Sequence, residues 1–223
     1  MQTMRQRLER VPIHLGQDGR KYVSVTRAMS LLKTLTSEPE DYFGPLARVH
    51  AAEGSGCHSC TLDWLAFTHG LLPSFVPPKR NPMVHPDETQ WANVMHAALV
   101  GFMEFCDAYA VKPVAIEQEA MSSALGLIGH IDLLAELTWK KRRVLALIDL
   151  KFVHAIQESH RLQLRCYSRL DQIKGVNLGL LYHADRQTGL WRLERVDLTQ
   201  GLDDVAAVMH AAKLFTWAEG KKR

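Results

Sequence analysis

The sequence has no apolar run approaching the length of a membrane span, so a membrane-spanning protein is not expected. It opens on "MQTMRQRLERVPIHL", which carries charge and lacks the apolar stretch of a secretory signal. The expected location is therefore cytoplasmic. Cysteine is scarce. The four present, Cys57, Cys60, Cys106 and Cys166, are expected as reduced thiols there, which argues against a disulfide-stapled fold. Cys57-x-x-Cys60 is half of a zinc pattern. No second cysteine pair or His-x-x-x-His follows at finger spacing, so no zinc site is expected. There is no internal repeat and no low-complexity tract. Nor does one sign of charge dominate: 27 Lys and Arg face 24 Asp and Glu, a net +3. That balance permits a polyanionic partner without requiring one. Two compact basic clusters, "KKRR" at 140–143 and "KKR" at the C-terminus, read on charge alone as a solvated turn and a frayed tail.

What is present is an ordinary globular composition, 47% hydrophobic and 23% charged over 223 residues. Residues 1–20 read as a polar helix or arm. "YVSVTRAMSLL" (22–32) opens as a short strand and continues as a helix capped by Thr26. "TSEPEDYFGP" (36–45) is turn material, "EGSG" (53–56) predicts a break, and a helix is expected to begin at His58. Five prolines make 71–88 a long irregular loop. Asp87 then caps a helix striped by Trp91, Val94, Met95, Ala98, Leu99 and Phe102. Trp91, and Trp217 much later, read as core anchors, and Cys106 and Cys166 as buried thiols. Three strands follow at 112–121, 125–137 and 143–153, the last two joined as a hairpin through "KKRR". A helix over 157–175, a second hairpin and a closing helix complete the chain. The order predicts one α/β domain over 1–223: a mainly helical part at 1–110 packed as a layer on one side, and an αβ core at 111–223 around a mixed sheet.

The chemistry lies in "VLALIDLKFV". Its period of two puts Asp149 and Lys151 on one face, with Ile148 and Leu150 on the other. Glu117 and Glu119 share a face of the first strand, and His130 and Asp132 share one of the second. If the strands are neighbours, Asp132 and Asp149 converge near Glu117. Carboxylates that close repel each other and call for raised pKa values or a cation. A hard divalent ion satisfies such a set, and a lysine beside it can orient a water and neutralise charge growing on a phosphate. A plain buried ion pair involving Lys151 explains the strand equally well, although such pairs stabilise weakly. On the next helix, Gln163 and Tyr167 stand one turn apart. Arg161, Arg165 and Arg169 lie on that helix too, as phosphate contacts or as a solvated face.

In sequence order, "GHID" (129–132), "DLK" (149–151) and "QLRCY" (163–167) resemble the PD-(D/E)XK nuclease superfamily, in its RecB-like exonuclease branch. Those relatives read Gly-x-x-Asp, Asp-x-Lys and Gln-x-x-x-Tyr, with an upstream Gly-x-x-x-His that "GSGCH" (54–58) fits. His50 is the rival to His58. The likeness spans roughly 45–217 in motif order and is confined to these short segments. It implies a restriction-endonuclease-like core, with a central mixed sheet flanked by helices. It implies a Mg2+- or Mn2+-dependent deoxyribonuclease acting in phage recombination or DNA repair, an exonuclease before an endonuclease. A phage-encoded chain would work in the host cytoplasm. The resemblance makes Asp132, Asp149, the Leu150 carbonyl and His58 metal ligands, and Lys151 the group acting on the attacking water and scissile phosphate. Glu117 becomes an accessory acid, and Gln163 and Tyr167 steady the site and the nucleic-acid strand. From their place on the same helix, Arg161 and Arg165 are candidate further strand contacts. No cysteine follows Cys166, so no iron–sulfur cluster is expected, and no helicase motif is present, so a stand-alone module is expected. Implied partners are DNA, held mostly by its backbone, and a recombination or single-strand-annealing protein. A homo-oligomer is compatible with the family. The rival function is a nucleic-acid- or protein-binding module of a recombination or defence complex with little turnover.

Overall fold

A computed structural model of the chain describes residues 13–16, 19–36 and 45–220, with side chains except at 13, 31–36, 45, 46 and 215–220. Residues 1–12, 17 and 18 of the arm expected over 1–20, most of the turn at 36–45, the basic tail at 221–223 and the Trp217 side chain lie outside the described residues, and 13–15 of that arm form a strand instead. The elements are β1 (Ile13–Leu15), β2 (Lys21–Ser24), α1 (Val25–Thr36), α2 (Pro45–Thr68), α3 (Glu88–Tyr109), β3 (Lys112–Ser122), β4 (Leu127–Trp139), β5 (Arg142–Lys151), α4 (Glu158–Tyr167), β6 (Leu178–Ala184), β7 (Trp191–Val196) and α5 (Leu202–Gly220). Among the described residues, no helix is long and apolar enough to cross a membrane.

The seven strands form one mixed sheet in the order β1-β2-β4-β5-β6-β7, with β3 paired to β4 off that path. β4 is the organising strand. It pairs antiparallel with β3 from Leu127 to Glu136, antiparallel with β5 from Leu133 to Trp139, and parallel with β2 at Leu127 and Ile128. β5 leaves β4 after the Ile148–Leu133 pair, and Asp149, Leu150 and Lys151 run on beside β6 alone. The sheet therefore forks beside Asp132 and Asp149.

Two apolar layers cover the sheet. Ile148, Leu150, Leu180 and Tyr182 face α2 and α3 in one core. Leu147, Leu181, Leu134 and Ile131 face α1, α4 and α5 in the other. This alternation buries both faces of β5 and β6, which explains their near-continuous aliphatic sequences. α3 forms as its pattern predicts. The Asp87 side chain accepts from Gln90 N at 2.8 Å, and Trp91, Val94, Met95, Ala98, Phe102 and Phe105 are buried at helical spacing.

Several expectations are corrected. α2 does not break at 53–56 and His58 does not open it; the helix runs unbroken from Pro45 to Thr68, with His58 inside it. A glycine in a helix costs about 1 kcal/mol against Ala, but tertiary packing outweighs that here. A Cβ on Gly56 would lie 2.5 Å from the Trp91 ring, so the glycine lets α3 seat against α2. The cap of α1 is Ser24, whose Oγ accepts from Arg27 N at 3.2 Å, and not Thr26. α4 ends at Tyr167 instead of reaching Gly175. The following segment is tied to β3, with Asp171 N donating to Met121 O and Met121 N donating to Gln172 Oε1. The N-terminal part adds β1 and β2 to the sheet, and its helices divide between both faces: α2 and α3 on one, α1 on the other.

Candidate active site

The fork in the sheet gathers charged side chains from four elements. Asp149, at 1% exposure, is buried on β5. Lys151 Nζ lies 2.7 Å from its Oδ2. Its Oδ1 is buried with no hydrogen-bond partner among the described residues. On β4, the Asp132 Oδ2 accepts from Leu150 N at 2.7 Å and so caps the backbone that β4 no longer pairs. Burial, and then the charge of Asp132, push the Asp149 carboxyl up to about 7 against the pull of Lys151 and His58.

His58 comes from α2, on the opposite side of the gap from α4. Its Nδ1 lies 2.9 Å from Glu117 Oε1 and its Nε2 lies 3.1 Å from Asp132 Oδ2. Both ring nitrogens face carboxylates, which suits the imidazolium. Burial would lower its pKa, but the hydrogen bonds to Asp132 and Glu117 prevail and raise it to about 10. Glu117 reaches His58 from a left-handed backbone with φ 49°, unusual for a non-glycine residue in a strand. Such a conformation costs about 1–2 kcal/mol. It interrupts the strand's alternation, and Glu119 meets a different partner, His130, at 3.5 Å. Asp63, also on α2, feels the cluster: burial and then the Glu117 charge raise its carboxyl.

α4 supplies the opposite wall. Gln163 Nε2 donates to Tyr167 Oη at 2.8 Å. Burial raises the Tyr167 phenol, and Thr26 at the start of α1 makes a further hydrogen bond to it. The glycine of Gly-x-x-Asp has a physical reason in this ring. A Cβ on Gly129 would stand 2.5 Å from Tyr167 Cε1. A cleft of about 850 Å3 opens beside the wall, lined by Thr26, Ser30, Lys151, His160 and Gln163 among others. Burial and then the Lys151 charge hold the His160 imidazole down near 4. His183, beside Lys151 in the β5–β6 ladder, steadies the chain beyond it. Its Nε2 donates to Val153 O at 2.6 Å, and Arg192 Nε donates to its Nδ1 at 2.9 Å, which fixes the tautomer.

The remaining candidates fall elsewhere. Arg161 pairs with Glu194 and Glu158. Arg165 is buried and pairs with Glu158 at 2.7 Å. His50 offers its carbonyl to Arg186 at 3.3 Å. All four cysteines are buried and free, and burial raises each thiol. Asp63 and His183 escaped the sequence reading because they belong to no motif, and Thr26 entered it only as a helix cap, without its contact to Tyr167. A second group it missed is a buried knot further toward the N-terminus of α2. Glu53, at 1% exposure, accepts from Gln90 Nε2 at 3.2 Å, faces His85 Nε2 at 3.1 Å, and pairs with Arg186 Nε at 3.1 Å. It ties α2, the proline-rich loop, α3 and the β6–β7 turn together five residues before His58.

Among the described residues, no group of three or more His, Cys, Asp or Glu side chains surrounds a common point as a finished metal cage would. The cluster is closed on itself by His58 and Lys151. Its chemistry still suits a hard cation. Asp132, Asp149 and Glu117 outnumber the two cations, and Asp149 Oδ1 is a buried acceptor without a donor.

No family model matches the chain, and no curated protein matches it. A solved structure titled "Crystal structure of SSO0001" is similar over 86% of this chain and 82% of its own, at 11% identity and a TM-score of 0.33. A likeness that loose bears on neither fold family nor function.

Proposed function

We propose that the chain is a divalent-metal-dependent deoxyribonuclease with a restriction-endonuclease-like core, hydrolysing phosphodiesters by direct attack of water. The observation that carries this reading is the convergence of Asp132, Asp149, Lys151, Glu117 and His58 at the fork, with the buried Asp149 Oδ1 left unpartnered. Asp132, Asp149, the Leu150 carbonyl and His58 would hold Mg2+ or Mn2+, with Glu117 as the accessory acid. A bound divalent ion supplies a Lewis acid and lowers the pKa of water. His58 would have to lose one proton to ligate, which frees one ring nitrogen and the carboxylate facing it, while the other N–H keeps its carboxylate partner. Lys151, which lines the cleft, neutralises charge on the scissile phosphate and orients the attacking water. Gln163 and Tyr167, braced by Thr26, hold the strand against the cleft. The buried β5–β6 pair keeps Asp149 and Lys151 rigid while this happens.

Exonucleolytic cutting, and a setting in phage recombination or repair, follow from the motif resemblance. The test uses end-labelled single- and double-stranded DNA and a closed circle, each with and without Mg2+ or Mn2+. Wild type is compared with Asp149→Ala and Lys151→Ala. Metal-dependent release of mononucleotides or short oligomers, lost in both variants, supports the reading. Nicking of the circle turns it to an endonuclease. Binding without cleavage under every metal condition overturns it in favour of a binding module.

A further inference from the structure

The turn between β4 and β5 is built from the wrong residues for its shape. Trp139 pairs with Arg142, so the loop is two residues, Lys140 and Lys141. Their φ angles are 48° and 64°, both left-handed. That is the type I′ hairpin, which favours Asn-Gly because each position penalises a Cβ. Two lysines hold the positions instead. The tip is also held firmly. Arg143 Nη1 donates to Ala110 O at 2.6 Å at the end of α3, and its Nε faces Glu136 at 3.6 Å. Trp139 stacks on Tyr109 with centroids 5.7 Å apart. Arg143 is thereby engaged, whereas Lys140, Lys141 and Arg142 are exposed and make no ion pair among the described residues. Lys112, at the adjoining start of β3, is exposed as well.

A rigid tip that keeps strained lysines in place of an easier turn presents charge at a fixed position. We propose that the β4–β5 hairpin tip is a second phosphate-binding surface, which holds the backbone of duplex DNA away from the cleft. The tip and Lys151 lie at opposite ends of β5. At 3.3 Å per residue that is about 30 Å, or roughly nine base-pair steps of duplex. The partner is a nucleic acid before an acidic protein. None of the exposed large hydrophobic side chains falls within 138–143, whereas protein interfaces are built on an apolar and aromatic centre depleted of charge. The proposal borrows from the nuclease reading only the identity of the polyanion.

The test is a turn repair. Lys140→Asn with Lys141→Gly gives the turn its preferred residues and removes two charges. Expected is a rise in Tm of roughly 2–4 °C together with weaker binding. Affinity for a duplex several times longer than the tip-to-cleft distance is measured without metal across a salt series. The slope of log K against log salt should fall by about 1.8, and affinity near 0.1 M salt by on the order of tenfold or more. Lys79→Asn with Lys174→Asn removes the same charge from exposed sites elsewhere. If the repaired turn binds as wild type does, or if this control loses as much affinity, the proposal fails. The measurement reads binding alone. A protein that binds through the tip but never cleaves would refute the nuclease reading and leave this one standing.

Discussion

Replacing Gly129 with Ala tests whether the first motif and the last are one physical unit. The added Cβ would sit 2.5 Å and 2.9 Å from Tyr167 Cε1 and Cδ1, and 3.4 Å from Leu170 Cδ1. Tyr167 is buried and held by Gln163, so its ring has little room to retreat. Overpacking of this kind costs about 1–3 kcal/mol, offset by about 0.5–1 kcal/mol from removing a strand glycine. The expected net loss is on the order of 1–2 kcal/mol. The decisive measurement is a double-mutant cycle with Tyr167→Ala, read by urea unfolding. That substitution alone should cost roughly 3–5 kcal/mol. In its background Gly129→Ala has nothing to strike and should be neutral or slightly stabilising. The cycle should then return a coupling of about 1–3 kcal/mol. If Gly129→Ala costs the same with and without the ring, the contact is not why glycine stands before Asp132, and the reasoning fails.

Asp149→Asn should make the metal-free protein less sensitive to alkali. A carboxyl raised on folding stabilises fully below its unfolded pKa near 3.8 and loses that contribution as pH rises through about 7. Unfolding at pH 5 and pH 8 should show the variant gaining on wild type at the higher pH, and an unchanged difference would refute the assignment. The His58 contribution, present below its ordinary 6.5 and lost through about 10, should persist in that variant as a further decline on the alkaline side. Arg186→Ala should destabilise by about 3–5 kcal/mol, because it leaves the Glu53 charge buried without its cation. Urea unfolding of this variant beside Arg195→Ala, an exposed control, checks it, and equal losses would contradict a buried pair.

Periodicity made much of the fold legible. Strands β3, β4 and β5 and the apolar stripe of α3 follow from spacings of two and of three to four residues, because burial on a sheet face or a helix stripe imposes those spacings. The same period placed Asp149 and Lys151 together. What escaped was decided by tertiary contact. Gly56 reads as a breaker until Trp91 is seen against it. Nothing near Asp171 announces that it will leave the helix to bind the end of β3. The left-handed backbone of Glu117 contradicts its local preference, and it accompanies a long-range contact with His58 that no local pattern announces. His58 itself was legible through Gly54 and the motif order, yet its bridging of two carboxylates depends on how α2 crosses the sheet.

The fork between β4 and β5 has a consequence in time. Its side chains come from a helix on each face of the sheet and from three strands, and the β2–β4 pairing alone spans a separation of about a hundred residues. No local piece of the chain contains the constellation. A nascent or half-melted molecule therefore has scattered carboxylates and a loose lysine, and nothing that could act. The cluster is assembled only when both layers have closed, so the long-range topology couples its formation to folding of the whole sheet.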